Sequence, residues 1–138
     1  MNIWRNKDHK TVRPLILVVE DEDAVRQTAR RMLESAGYEV LEATNGIEGI
    51  AALEANTRVD LLMADIDMPE LTGDEMVKRL RATHPHLKAL YVSGHVDRLF
   101  EERQYLWEDE AFLDKPFTQT SLLEAVSLLL YGTIRPQR

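Results

Sequence analysis

Leu15-Ile16-Leu17-Val18-Val19 is an unbroken apolar run of strand length, rich in β-branched residues. A strand with one wet face alternates apolar and polar side chains. A continuous run signals burial on both faces. Val59–Ala64 repeats the pattern, and Leu87–Ser93 reads as a further strand. Strands buried on both sides need helices above and below them, so the intervening segments decide the fold class.

Those segments carry helical spacing. Val25, Ala29, Met32, Leu33 and Ala36 line one helix face, and Gly37 closes that helix as a left-handed cap. Tyr38–Ala43 alternates weakly, as a strand does. Asn45 and Glu48 resemble a capping box, which puts Ile47, Ile50 and Ala51 on the inner face of a second helix. Thr72 and Glu75 form another box, opening a helix with Met76, Val77 and Leu80 inward; Pro85 forces its end. Phe112-Leu113 is a further apolar strand segment. Thr118 caps a last helix with Leu122, Leu123, Val126, Leu129 and Leu130 toward the core. Val96–Ala111 reads as a helix through Leu99, Phe100, Arg103 and Leu106, with Glu101, Glu102, Glu108, Asp109 and Glu110 toward solvent. Strands alternating with amphipathic helices imply βαβ units, a parallel sheet and right-handed crossovers.

Length and charge exclude several classes. A chain of 138 residues holds one domain comfortably. The expected division is 1–13 as a polar lead-in, 14–131 as the domain and 132–138 as a tail. The formal net charge of −7 argues against direct nucleic-acid binding. The absence of cysteine excludes a thiolate metal site or nucleophile. No apolar run is long enough to span a bilayer, so no membrane contact is expected and the cytoplasm is the expected location.

In a doubly wound sheet the ligand lies beyond the carboxyl ends of the strands. Polar residues gather there. The first apolar run ends in Glu20-Asp21-Glu22, the third in Asp65-Ile66-Asp67-Met68-Pro69, the fourth in Ser93-Gly94-His95 and the last in Asp114-Lys115-Pro116-Phe117. Glu20, Asp21 and Asp65 brought together would repel one another, and one would take up a proton unless a cation compensates. Hard oxygen ligands at a partly open site suit Mg2+. Asp65 is the candidate nucleophile, because a carboxylate oxygen attacking phosphorus forms an acyl phosphate. Lys115 offers a compact positive charge for one phosphoryl oxygen and Ser93 a hydroxyl for another.

These strings, in this order, closely resemble the receiver domain of two-component response regulators. The resemblance runs from about Leu15 to Leu130. It implies a five-stranded doubly wound parallel sheet of order 2-1-3-4-5, flavodoxin-like, with five helices. It implies Asp65 as phosphoacceptor, Glu20, Asp21 and the Asp67 backbone carbonyl as Mg2+ ligands, and Ser93 and Lys115 as partners of the phosphoryl group. Ser93 and Phe112 become the switch pair, Lys115-Pro116 a cis peptide, and Asp67 and His95 neighbours that tune phosphoryl lifetime. The implied partner is a sensor histidine kinase or a histidine phosphotransfer protein, with Arg26, Arg30 and Arg31 of the first helix outward as a docking face. The resemblance also leaves room for a homodimer. The sequence departs from the commonest pattern at Glu20, where aspartate is frequent, at Ser93 for threonine and at Phe112 for tyrosine. It also lacks a glycine in Trp107–Glu110. Val92–His95 and Lys115–Thr118 are similar to receivers attached to hybrid histidine kinases.

Two other readings compete. Asp65-Ile66-Asp67 matches the opening of haloacid-dehalogenase-like phosphohydrolases, but there the motif sits on the first strand and the acidic pair downstream. A binding module that no longer accepts phosphate would not keep the full acidic set and Lys115. The expected domain assists its own phosphorylation and dephosphorylation and turns over no separate metabolite.

Overall fold

The computed structural model describes residues 13–56, 58–95 and 109–132. The strands are β1 (Leu15–Val19), β2 (Glu39–Ala43), β3 (Leu61–Asp65), β4 (Ala89–Ser93) and β5 (Glu110–Asp114). The helices among the described residues are α1 (Asp23–Ser35), α2 (Gly46–Ala55), α3 (Gly73–Arg81) and α4 (Gln119–Tyr131). All strand pairs are parallel and the sheet order is β2-β1-β3-β4-β5, the doubly wound order expected.

Alternation along each strand sorts the core into two layers. Leu17, Val19, Leu62, Ala64 and Tyr91 pack with Met76, Val77 and Leu80 of α3. Ile16, Val18, Leu61, Met63, Leu90 and Val92 pack with Ala29 and Leu33 of α1 and with Leu122 and Val126 of α4. Every residue of β1, β3 and β4 is buried, as their unbroken apolar runs require. Met63 and Met68 are both core residues. Among the described residues, no helix is long and apolar enough to cross a membrane.

The caps follow their sequence signals. Gly37 has φ +93°, a left-handed conformation that glycine adopts without a Cβ penalty. Thr72 and Glu75 close a full capping box, and Thr118 pairs with Ser121 in another. At α2 only half the box forms. Asn45 accepts from the Glu48 amide, while the Glu48 carboxylate turns to the amide and hydroxyl of Thr44.

Five expected side-chain placements and one helix end need correction. Ile47 is 59% exposed and Ala51 is exposed, because α2 lays Gly46, Gly49 and Leu53 against the core instead. A Cβ at Gly46 would meet Leu71, and one at Gly49 would meet Met76 and Val19, so close approach has displaced the larger residues. Ala36 is exposed at the end of α1. Arg26 is only 8% exposed and does not face outward. Glu110 is 5% exposed and opens β5, where solvent was expected. The rest of the expected Val96–Ala111 helix falls on 96–108, outside the described residues, so strand β5 replaces only its end.

Candidate functional site

Strand register assembles the site. Val19 lies beside Ala43 on one side and Ala64 on the other, so Glu20 and Asp65 emerge together. The Glu20 amide continues the ladder to the Ala43 carbonyl at 3.1 Å. Asp65 pairs with Val92, and Ser93 with Asp114, which sets Lys115 just past the end of β5. The Lys115 amide donates to the Ser93 carbonyl at 2.9 Å. Lys115-Pro116 is cis.

The carboxylates of Glu20, Asp21 and Asp65 each offer an oxygen within 4.8 Å of the others. Asp21 is exposed, whereas Glu20 and Asp65 are each 4% exposed. The Lys115 ammonium bridges the buried two, 2.9 Å from Glu20 Oε1 and 3.0 Å from Asp65 Oδ2. Glu22 stands at the rim, 3.7 Å from the same ammonium. Remaining acceptors are filled by backbone: the Glu22 amide donates to Glu20 Oε2 at 3.1 Å and the Asp67 amide to Asp65 Oδ1 at 2.9 Å.

Burial pushes the Glu20 carboxyl up to about 7, and the Asp65 carboxylate adds to that against the hydrogen bonds from Lys115 and the Glu22 amide. For Lys115, burial opposes the charge, but the hydrogen bonds to Glu20 and Asp65 outweigh it and hold the ammonium above its ordinary range. The donor set fits Mg2+: three carboxylates converge, one of them at the surface, and two buried anions share a single cation. A metal held there would compete with the proton for Glu20. Mg2+ affinity is expected to rise with pH through about 7 and to level off above it. Calorimetric titration at pH 6, 7 and 8 checks this; a flat profile would contradict it.

Arg26 lies beneath the acidic loop, a role the sequence reading missed. Its guanidinium donates to the Glu20 carbonyl at 2.9 Å and to Glu42 at 3.0 Å, and it also pairs with Asp23. It therefore ties both ends of the loop carrying Glu20 and Asp21 to β2. Arg30 also pairs with Glu42 and with Glu34. The spacing of Asp23 and Arg26, one helical turn apart, was the available signal.

Gly73 is the other unassigned contributor. A Cβ there would stand 2.6 Å from the Asp65 carbonyl oxygen. Gly73→Ala is expected to force the backbone at the end of β3 to shift and to cost about 1–3 kcal/mol, read by urea unfolding. A cost within ~0.5 kcal/mol would show that α3 does not press on Asp65.

Ser93 is 1% exposed at the end of β4. Its hydroxyl donates to Asp67 Oδ2 at 2.9 Å and accepts from the His95 amide at 2.9 Å. His95 is itself exposed and meets Ser93 through its backbone. Phe112 is half-buried and stacks on Tyr91, ring centroids 5.3 Å apart.

The response regulator receiver domain family matches residues 16–127, most of the chain. The chain belongs to that family. This receiver domain is 39% identical to the sensor kinase CckA of Brucella abortus (strain 2308), over 83% of this chain and 12% of that protein. It is 37% identical to the response regulator MprA of Mycobacterium sp. (strain KMS), over 86% of this chain and 51% of that one. It thus spans about half of one relative and a small part of the other. The receiver domain of the hybrid histidine kinase CckA, known from a crystal structure, is 38% identical, with TM-score 0.71 over 84% of this chain and 98% of that one. A receiver domain of two-component systems is therefore what this fold and site make. The comparisons lend nothing to the phosphohydrolase alternative.

Proposed function

We propose that this receiver domain takes a phosphoryl group from phosphohistidine onto Asp65 and changes its surface for a downstream partner. The observation that carries the reading is one ammonium, Lys115, held at 3.0 Å from Asp65 and 2.9 Å from Glu20 within a cluster of three carboxylates. An Asp65 carboxylate oxygen attacks phosphorus. The new O–P bond forms as the N–P bond breaks, and its electron pair stays on the donor imidazole. Lys115 stands ready to take charge on one phosphoryl oxygen, and the Ser93 hydroxyl serves another once it leaves Asp67.

Glu20, Asp21, Asp65 and the Asp67 carbonyl would hold Mg2+. When bound, the ion supplies positive charge that offsets both the crowded carboxylates and the phosphoryl oxygens. Ser93 and Phe112 form the switch pair, and Asp67 and His95 border the phosphoryl site. Arg30 and Arg31 remain outward on α1 as part of a docking face for a histidine kinase or histidine phosphotransfer protein. The receiver unit runs over 14–131 and works in the cytoplasm, without nucleic acid or membrane contact of its own. It assists its own phosphorylation and dephosphorylation and turns over no free metabolite. The kinship with a sensor kinase's receiver supports an origin in a hybrid kinase.

Autophosphorylated histidine kinases and phosphohistidine-bearing transfer proteins, mixed with the domain and Mg2+, test the reading. Transfer of one phosphoryl group per domain from at least one donor is expected. Sustained hydrolysis of p-nitrophenyl phosphate without a stable labelled protein would instead favour the phosphohydrolase.

A further inference from the structure

A serine hydroxyl has one proton to give and two lone pairs to offer. At Ser93 the proton is committed: it points to Asp67 Oδ2 at 2.9 Å. One lone pair is taken by the His95 amide at 2.9 Å. Ser93 is 1% exposed, so bulk water does not compete freely for the hydroxyl. The acceptor is a carboxylate, which makes a stronger hydrogen bond than a neutral oxygen. The backbone amide of the same Asp67 donates to Asp65 Oδ1 at 2.9 Å. One residue is thus bound both to the candidate acceptor and to the candidate switch hydroxyl.

We propose that Asp67 is a latch: its carboxylate holds the Ser93 hydroxyl away from the acceptor until a phosphoryl group on Asp65 draws it off. The proposal rests on the reading of Asp65 as phosphoacceptor. Because Ser93 has a single proton, a phosphoryl oxygen and the Asp67 carboxylate compete for it. The hydroxyl therefore has two discrete states, and Asp67 weights the unphosphorylated one. The exposed position of Asp67 lets its freed carboxylate be solvated, which keeps the latch reversible. Asp67 also carries negative charge beside the phosphoryl site, and charge alone would weaken phosphoryl binding. The latch and the charge are separated by asking whether the effect of Asp67 needs Ser93.

Beryllofluoride with Mg2+ serves as a non-covalent phosphoryl probe, and its affinity is measured by calorimetry on four proteins: unaltered, Asp67→Ala, Ser93→Ala and the double variant. Binding to the unaltered domain establishes the phosphoacceptor premise; no binding there removes that premise and the latch with it. The latch predicts that Asp67→Ala binds the probe about tenfold more tightly, the size of a lost hydrogen bond to a charged acceptor. In the Ser93→Ala background the same substitution should then change affinity by no more than about twofold, the residue of a screened exposed charge. Equal gains in both backgrounds would assign the whole effect to charge and overturn the latch. No gain with Ser93 present would overturn it as well. Should Ser93→Ala not fold, Asp67→Asn decides. Its amide oxygen still accepts the hydroxyl while the charge is gone, so the latch predicts a smaller gain than Asp67→Ala, and equal gains contradict it.

Discussion

Lys115→Ala is expected to lower stability by about 3 kcal/mol at pH 8 in the absence of Mg2+, the range for breaking a buried ion pair. The ammonium is the cation shared by Glu20 and Asp65, whose side chains are 5% and 4% exposed. Without it, two buried carboxylates face each other with no counter-charge, and only the Glu22 and Asp67 amides still donate to them. The loss is expected to depend on pH. The Glu20 carboxyl already titrates near 7, raised by burial above its ordinary 4.5, and removing Lys115 takes away the hydrogen bond that pulls it down. A carboxyl raised in the folded state contributes stability that is full below its unfolded value and is lost as pH rises through its folded value. The variant should therefore sit closest to the unaltered protein near pH 5 and fall away toward pH 8. Added Mg2+ should restore more stability to the variant than it adds to the unaltered domain, because the ammonium no longer competes for two of the three carboxylates. Urea unfolding at pH 5, 6.5 and 8, with and without Mg2+, reads all of this. A pH-independent loss that Mg2+ leaves unchanged would show that Lys115 is not the counter-charge of the cluster. Stoichiometric labelling of the variant should fall as well, since no ammonium remains for the phosphoryl oxygens.

The second large effect lies at the opposite edge of the sheet. Glu110→Ala is expected to cost about 3–5 kcal/mol, by leaving a partner charge without its counter-ion in the interior. The Glu110 side chain is 0% exposed and its Oε2 accepts from Arg81 at 2.7 Å and from the Tyr91 hydroxyl at 2.8 Å. Arg81 also donates to the Leu87 carbonyl at 2.9 Å, so one guanidinium joins the end of α3 to the strand entry of β4 and β5. Tyr91 in turn stacks on Phe112. Glu110→Gln keeps the shape and an acceptor oxygen and should cost less than the alanine change. Equilibrium unfolding in urea measures both. A loss of less than ~0.5 kcal/mol for Glu110→Ala is the value for a solvent-facing residue and would restore the reading that sequence suggested.

Glu110 shows where sequence reasoning stopped. A glutamate within Glu108-Asp109-Glu110 reads as part of a wet acidic run, and nothing local distinguishes it from its neighbours. Its burial depends on Arg81, twenty-nine residues away in the chain, which only the sheet order brings near. Arg26 differs in having one local partner, Asp23, but its burial comes from the Glu20 carbonyl and from Glu42 on a neighbouring strand. Ile47 was misplaced because helical periodicity counts large apolar residues, whereas α2 approaches the sheet through Gly46 and Gly49. The bond from Ser93 to Asp67 crosses from β4 to the loop after β3 and carries no local pattern.

What was legible has an equally physical basis. Apolar runs of strand length that end in turn residues read as strands buried on both faces, and β1, β3 and β4 lie within about two residues of the expected bounds. A parallel sheet sends the strand ends to one edge, so acids and a lysine at those ends had to meet there. Glu20, Asp21, Asp65 and Lys115 do so. Caps were readable because their partners lie three residues apart, as at Thr72 and Thr118.

The central claim is that Asp65 carries the phosphoryl group and that the acidic cluster needs Mg2+ to let it do so. The most direct measurement is to treat the domain with acetyl phosphate, reduce any acyl phosphate with borohydride and locate the reduced residue by peptide mass spectrometry, with Mg2+ or with a chelator. One modified side chain is expected, Asp65, formed only when Mg2+ is present and absent from Asp65→Asn. Modification at another carboxylate, or equal modification of Asp65 in the chelator, would contradict it.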